Sequence, residues 1–557
     1  MNNLYRIEDD NITVNVWSPK MERLYLRDLN ENKIYEMNNL KNGFKTLELK
    51  NAINHDYYFV YNNNYPDPVS RYQPYGVSGP SRFIDYNYEW KTKKWKTYDI
   101  KDTIIEEIHI GTYTENGDYN SILNKIDYIK DTGVNTIEIM PLNQTYGKRN
   151  WGYDGVLLYA PSNNYGTANE LKNLIDKFHE NDINVILDVV YNHIGPIGNV
   201  LNDFGYYFSN IHKNPWGETF NYDGYGSDFV RSFIIENVDY WINEYKFDGL
   251  RLDAIHSVYD SSPLNIINEI SLEISNMEKK LKRKIKAIAE SDKNNSSLVK
   301  PFYKCGYGLT AHWNDDFHHA VYSYLSGENN GYYSDYNNFD DITHCYNNGY
   351  VYDGRFSEYL NKTRGTIFND KKYKLIAFDS DHDQIGNRAF GERPIKLLGI
   401  KKMKLFVAAL LLSPFTPMLF QGEEYGEDSP FLFFIQTDDK NFADMIFNGR
   451  KDEFSDFKWG KNIPDPNDID TFNKSKLKWK INKDILNYYK NLINIRKRYV
   501  KGNCTAYNEN DIIKLVYEKI NVYLSFSGNP KKIDGNILFS TSGSNILNEH
   551  DVIVTDK

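Results

Sequence analysis

Apolar and polar positions along the chain follow three patterns in turn, and the changes of period divide it into regions. Up to about residue 62, short segments at 12–17, 23–26 and 56–61 alternate apolar and polar residues between Asn, Asp and Gly turns. They predict a small β-sandwich. From Tyr65-Pro-Asp-Pro to Gly79-Pro-Ser81 the prolines and glycines are too dense for a helix or a central strand, which puts a linker at about 63–100. Beyond it, apolar runs at 105–111, 136–141, 184–190, 247–253, 286–290, 309–313, 374–378 and 417–421 read as strands. Segments with one apolar face lie between them, such as Ile122, Leu123, Ile126 and Ile129, or Leu171, Leu174, Ile175 and Phe178. Eight β-α units imply closure into a (β/α)8 TIM barrel with its active site at the carboxyl ends of the strands. After a helix at about 481–496, segments 512–517, 521–526, 536–539 and 551–554 return to strand character. The expected architecture is thus α/β. It comprises an N-terminal β-sandwich with linker at 1–97, a barrel at 98–497 and a small antiparallel β-domain at 498–557.

Composition narrows the class. The chain has 557 residues, more than one core of about 250–300 residues accommodates, so a large domain with smaller attachments is expected. Lys and Arg number 66 against 76 Asp and Glu, a net charge of −10 with no basic stripe, which disfavours a nucleic-acid partner. The apolar stretch around 405–415 is about half of the roughly 20 residues a membrane span requires and reads as a buried helix. The polar, acidic opening lacks the basic start and apolar core of a secretory leader, so a cytoplasmic location is expected. Cys305, Cys345 and Cys504 form neither a disulfide framework nor a metal signature. Unpaired thiols are the ordinary reading, with Cys305 as the candidate bridge of a homodimer.

Strand ends three, four, five and seven each deliver an acid: Asp188, Asp253, Glu290 and Asp383. One strand-end carboxylate is commonly a helix cap, but four converging ones raise one another's pKa and call for partners or a use. Arg251 lies two residues before Asp253 and shares its face, while His193, His256 and His382 stand at the rim. No metal or other cofactor is expected, because the histidines lack the H-E-x-x-H spacing and no Asp-rich calcium loop occurs.

The segments Asp188-Val-Val-Tyr-Asn-His193, Gly249-Leu-Arg-Leu-Asp253-Ala-Ile-His256, Ala289-Glu290-Ser and His382-Asp383 resemble, in order, the four motifs of the α-amylase family of glycoside hydrolases. The resemblance implies Asp253 as nucleophile, Glu290 as general acid and base, and Asp383 as the carboxylate that grips the sugar hydroxyls. It also implies Arg251, His193 and His382 as orienting and sugar-binding groups, with Tyr153 in Trp151-Gly-Tyr-Asp-Gly155 as the stacking aromatic. Double displacement then predicts retention, with the two carboxyl groups about 5–5.5 Å apart. Further stretches resemble the branch of the family that acts on maltooligosyltrehalose, cutting the α-1,4 bond next to the terminal trehalose. They are Glu107-Ile-His-Ile-Gly-Thr-Tyr-Thr114, Trp313-Asn-Asp-Asp-Phe-His-His319, Asp381-His-Asp-Gln-Ile-Gly-Asn-Arg388 and Phe420-Gln-Gly-Glu-Glu-Tyr-Gly426. On that reading His256, Trp313, Asp315, Asp316 and His318 follow strands four and six and face the leaving trehalose. Glycogen-branching activity, a generic α-glucan hydrolase and a non-catalytic glucan-binding protein are the alternatives.

Overall fold

The computed structural model describes residues 5–8, 11–85, 87–454, 457 and 463–557. At the N-terminus lie two antiparallel sheets. One joins Tyr5–Glu8, Asn11–Trp17, Phe44–Lys50 and Asn38–Asn39; the other joins Lys33–Glu36, Tyr25–Asp28, Asp56–Val60, Asn64–Tyr65 and Ser81–Arg82. The strand Phe44–Lys50 was not visible to periodicity because its inward positions are Lys45, Leu47 and Leu49. Lys45 is buried with its ammonium donating to Asn39 Oδ1 at 2.6 Å, a polar residue on the inner face.

All eight expected barrel strands form, in sequence order and parallel. They are β1 (Ile105–Ile108), β2 (Thr136–Ile139), β3 (Asn184–Val189), β4 (Gly249–Leu252), β5 (Lys286–Ala289), β6 (Ala311–Trp313), β7 (Leu375–Phe378) and β8 (Thr416–Phe420). β8 pairs with β1 and closes the ring. Ile105, Ile186, Ile288, Trp313, Ile376 and Met418 fill the barrel interior. Side chains alternate across a strand, so the residues two positions further on point inward as well, at the upper rim. The strands present Glu107, Glu138, Asp188 and Arg251 there, and Glu290 follows β5. An apolar layer beneath a polar one fixes the site at the carboxyl end of the barrel.

Among the described helices, α1 (Asp315–Ser326), α2 (His382–Gly386) and α3 (Lys440–Glu453) bear on that rim. The stretch expected as a buried helix belongs to Pro394–Leu411, in which Leu405 to Leu411 are all buried. No described helix is long and apolar enough to cross a membrane. At the C-terminus a five-stranded antiparallel sheet runs in the order Thr505–Asn508, Ile512–Val516, Ile520–Ser525, Val552–Asp556, Ile537–Ser540, one edge strand more than the sequence indicated. Cys345 and Cys504 are buried, Cys305 is exposed, and none is paired.

Behind the barrel, two buried carboxyls face one another. Tyr113 donates to Glu106 at 3.1 Å and Tyr128 donates to Glu424 at 2.8 Å. Burial raises Glu424 to about 7 despite the Tyr128 bond, and burial together with Glu424 raises Glu106 well above the usual carboxylate range. A raised folded pKa means that the native state holds a proton that the unfolded chain has already lost. That stabilisation is complete below about 4.5 and disappears as pH rises through about 7. The neutral buried histidines act in the opposite sense, but only below about 6.5, where unfolded histidine takes up a proton. Tm should therefore fall between about pH 6.5 and pH 8.5, and fall less in Glu424→Gln. An equal fall in both proteins, followed by differential scanning calorimetry, assigns the pH dependence to other groups.

Candidate active site

The centre is built around one guanidinium. Arg251 is fully buried, and its Nη1 donates to Asp188 Oδ2 at 2.6 Å and to Asp253 Oδ1 at 2.8 Å. Its Nη2 lies 3.8 Å from Glu290 Oε2, and its Cζ lies 4.2 Å from the Trp313 ring centroid. Asp188 also accepts from the Tyr153 hydroxyl at 2.7 Å, so it braces both the arginine and the aromatic. Burial raises Asp188 to about 6 against the pull of Arg251.

Asp253 and Glu290 border the same cation in different settings. Asn192 Nδ2 donates to Asp253 Oδ2 at 2.7 Å, so both oxygens of Asp253 accept from fixed donors. Glu290 Oε2 accepts from the backbone N–H of Ala254 at 2.6 Å. Burial raises Glu290 well above the usual carboxylate range, and Asp253, Asp315 and Asp383 add to it while Arg251 opposes. Ala254 holds a left-handed conformation (φ 40°) that non-glycine residues seldom adopt, and this turn aims its N–H at Glu290. A carboxylate anchored by two donors beside one whose pKa burial has raised suits a nucleophile paired with an acid.

Asp383 lies in α2, following β7, where Asp381 caps the helix by accepting from Gln384 N at 2.7 Å. Its side chain is half-exposed, accepts from Asn387 Nδ2 at 3.0 Å and stands 3.6 Å from His382 Nε2. His382 is buried and donates from Nδ1 to Glu107 Oε1 at 2.6 Å, while its backbone N–H donates to Glu107 Oε2 at 2.9 Å. Burial alone lowers the pKa of this imidazole, but Glu107 and Asp383 together raise it to about 10, so it is a cation at neutral pH. Tyr153 stacks on it with ring centroids 5.0 Å apart. His193 donates to Asn192 Oδ1 and stacks against Trp216 at 5.4 Å; burial lowers its pKa although Asp253 and Asp154 oppose this.

The structure thus brings Asp253, Glu290, Asp383, Arg251, Tyr153, His193 and His382 to one place, and it divides the residues expected after strands four and six. His256 and Asp315 are half-buried at the rim on the Glu290 side. His256 Nδ1 lies 3.7 Å from Asp292 Oδ1, and burial first, then nearby acids, raise Asp315 to about 7. Asp316 and His318 are not at the surface, which corrects their expected place beside the sugar. Asp316 Oδ1 accepts from Tyr336 at 2.6 Å. Its Oδ2 accepts from Asn294 Nδ2 at 2.7 Å and from the N–H groups of Val351 and Tyr352 at 2.8 Å each. His318 donates to the Asp379 carbonyl at 2.8 Å and accepts from Tyr333 at 3.2 Å. Successive residues on a helix differ by about 100°, so α1 turns Asp315 outward and Asp316 into the core. Trp313 is buried too and forms the floor beneath Arg251.

Glu107, Asn192 and Trp216 escaped the sequence reading. Glu107 had a signal, since it stands two residues after the inward-facing Ile105 on β1. Asn192 lies inside the motif ending at His193, whereas Trp216 sits at the tip of a hairpin of Phe208–Asn214 and Gly217–Phe220 that no local pattern aims at the site. A cavity of about 540 Å³ opens from Asp253, Tyr153, His193 and Asp383 and runs between Trp216 and α3.

The chain belongs to the alpha-amylase family: the family's catalytic-domain pattern matches residues 80–213 and 220–502. Among its relatives, it is 43% identical over 529 residues to malto-oligosyltrehalose trehalohydrolase of Saccharolobus solfataricus, covering 94% of this chain and 91% of that protein. It is 38% identical to the trehalohydrolase of Rhizobium sp., covering 78% and 74%. A Salmonella typhimurium protein whose 1.4 Å crystal structure is described as that of an alpha amylase superposes with a TM-score of 0.92 at 34% identity, over 99% of this chain and 98% of its own.

Proposed function

We infer that this protein is a retaining glycoside hydrolase that cuts the α-1,4-glucosidic bond next to the terminal trehalose of maltooligosyltrehalose, releasing trehalose and a shorter maltooligosaccharide. The observation that carries the chemistry is one buried guanidinium bordered by Asp253 and Glu290, with both oxygens of the first accepting from fixed donors and the pKa of the second raised by burial. Asp253 attacks the anomeric carbon. Glu290 protonates the departing oxygen and then takes the proton from the water that releases the glycosyl ester. Asp383 and the His382 cation grip the hydroxyls of the same sugar, Tyr153 stacks on its face, and Arg251 and His193 orient the nucleophile. Similarity to a malto-oligosyltrehalose trehalohydrolase, at 43% identity over 94% of this chain, supports the substrate. The leaving trehalose is read by His256 and Asp315 on the Glu290 side, with Trp313, Asp316 and His318 as the scaffold beneath. Three unpaired cysteines suit a reducing, cytoplasmic setting for trehalose formation.

Incubation with maltotriosyltrehalose should release trehalose. The kcat/KM for this substrate should exceed that for a plain maltooligosaccharide of equal length by about a hundredfold, or roughly 2.7 kcal/mol, the contribution of one or two hydrogen bonds to otherwise unpaired groups. The reacting sugar is common to both, so contacts by Tyr153, Asp383 and His382 cancel from the ratio. Equal rates on the two substrates overturn the trehalose assignment and leave a general α-glucan hydrolase.

A further inference from the structure

The cavity that opens from the proposed nucleophile has Asp253, Tyr153, His193 and Asp383 in its walls but not Glu290. A general acid stands at the leaving oxygen, so a cleft running away from it receives the part of the substrate that remains on Asp253. One wall of this cleft is α3. Asp439 caps the helix, accepting from Asn441 N at 2.9 Å and Phe442 N at 3.2 Å, and not one of its 14 residues is buried. Phe442, Met445 and Ile446 nevertheless lie at helical spacing on the face that lines the cleft, and Met445 is 58% exposed. An apolar stripe on a helix ordinarily turns to the core. Here it faces the open cleft opposite Trp216.

The same helix is tied to the catalytic rim. Arg450 Nη2 donates to the Gly386 carbonyl at 2.8 Å, and Arg450 Nη1 donates to Asn387 Oδ1 at 3.0 Å. Asn387 Nδ2 in turn donates to Asp383 Oδ1 at 3.0 Å. The position of α3 is therefore passed through two hydrogen bonds to a carboxylate that is otherwise half-exposed.

We propose that Phe442, Met445 and Ile446 form the surface on which the retained glucan chain lies, and that Arg450 and Asn387 couple occupation of this surface to the placement of Asp383. The proposal rests on the α-1,4-glucan substrate inferred above. Sugar rings carry an apolar C–H face that suits this wall. Binding remote from the bond being cut then acts on kcat as well as on KM, because it fixes a group that holds the reacting sugar. Asn387 is a positioning residue in this scheme, acting through Asp383.

The test measures kcat and KM for trehalose-ended substrates with short and long glucan chains in the wild type, Met445→Ala, Phe442→Ala and Asn387→Ala. In the wild type, kcat should rise with chain length. The two wall variants should raise KM for long chains by about tenfold and leave the shortest substrate unchanged. Asn387→Ala should flatten the rise of kcat with length while KM for long chains stays near the wild-type value. Kinetics independent of length in the wild type, or variants that lose the same factor at every length, overturn the proposal. Because Met445 is exposed, Met445→Ala keeps the test readable even if Phe442→Ala fails to fold. The ratio of trehalose-ended to plain substrates at fixed length is a separate readout. A ratio near one refutes the trehalose assignment, while the dependence on length still decides the role of α3.

Discussion

Asp253→Asn should retain less than about a thousandth of the wild-type kcat, a barrier increase of roughly 4 kcal/mol or more, and still yield a folded protein. The amide preserves the shape of the carboxylate but cannot form a glycosyl ester. The surroundings predict a second effect. Arg251 Nη1 at 2.8 Å and Asn192 Nδ2 at 2.7 Å both donate to Asp253, so whichever way the amide is turned its NH2 group meets a donor. One lost hydrogen bond in a buried site costs about 1–3 kcal/mol. A modest fall in Tm should accompany the loss of turnover, with the circular dichroism spectrum unchanged. Retention of more than a thousandth of the activity would show that another group attacks the sugar.

Glu290→Gln should be nearly as damaging on the natural substrate, whose sugar leaving group needs a proton, and much less so on an aryl glycoside whose phenolate departs without one. Burial, opposed by Arg251 but helped by Asp253, Asp315 and Asp383, raises this carboxyl well above its usual range, which favours the form that carries the proton the reaction consumes. Loss of that proton should produce the alkaline limb of kcat/KM on the natural substrate. The limb should be absent from the glycosylation step with the activated substrate. Measuring both substrates across pH checks the role, and equal damage by the variant on the two would contradict it. The hydrogen bond from Ala254 N–H at 2.6 Å survives in the glutamine variant, since the side-chain carbonyl accepts it, so misplacement of the group does not account for the loss.

The sequence determined the barrel and the composition of its upper rim. Eight apolar strands separated by amphipathic segments have one economical closure, and a period of two along a strand places Arg251, Asp253 and Asp188 on known faces before any contact is seen. Motif order then carried Glu290, His382 and Asp383 to the same rim. Two strands of the flanking β-regions were less legible because Lys45 occupies an inward position of the first and because Thr505–Asn508 has a single buried residue, so neither shows clean alternation. Within the site, only the tertiary structure decided which side of α1 meets solvent. Asp315 and Asp316 are adjacent and chemically identical, yet Tyr336, Asn294 and two backbone N–H groups converge on the second and leave the first at the rim. The pairing of Glu107 with His382, separated by 275 residues, was likewise beyond local pattern. So was the approach of α3 to Asn387, because its apolar stripe reads in sequence as an ordinary core face. Periodicity reports which residues share a face, whereas the charge state and exposure of a group depend on partners that only the closed barrel brings within hydrogen-bonding distance.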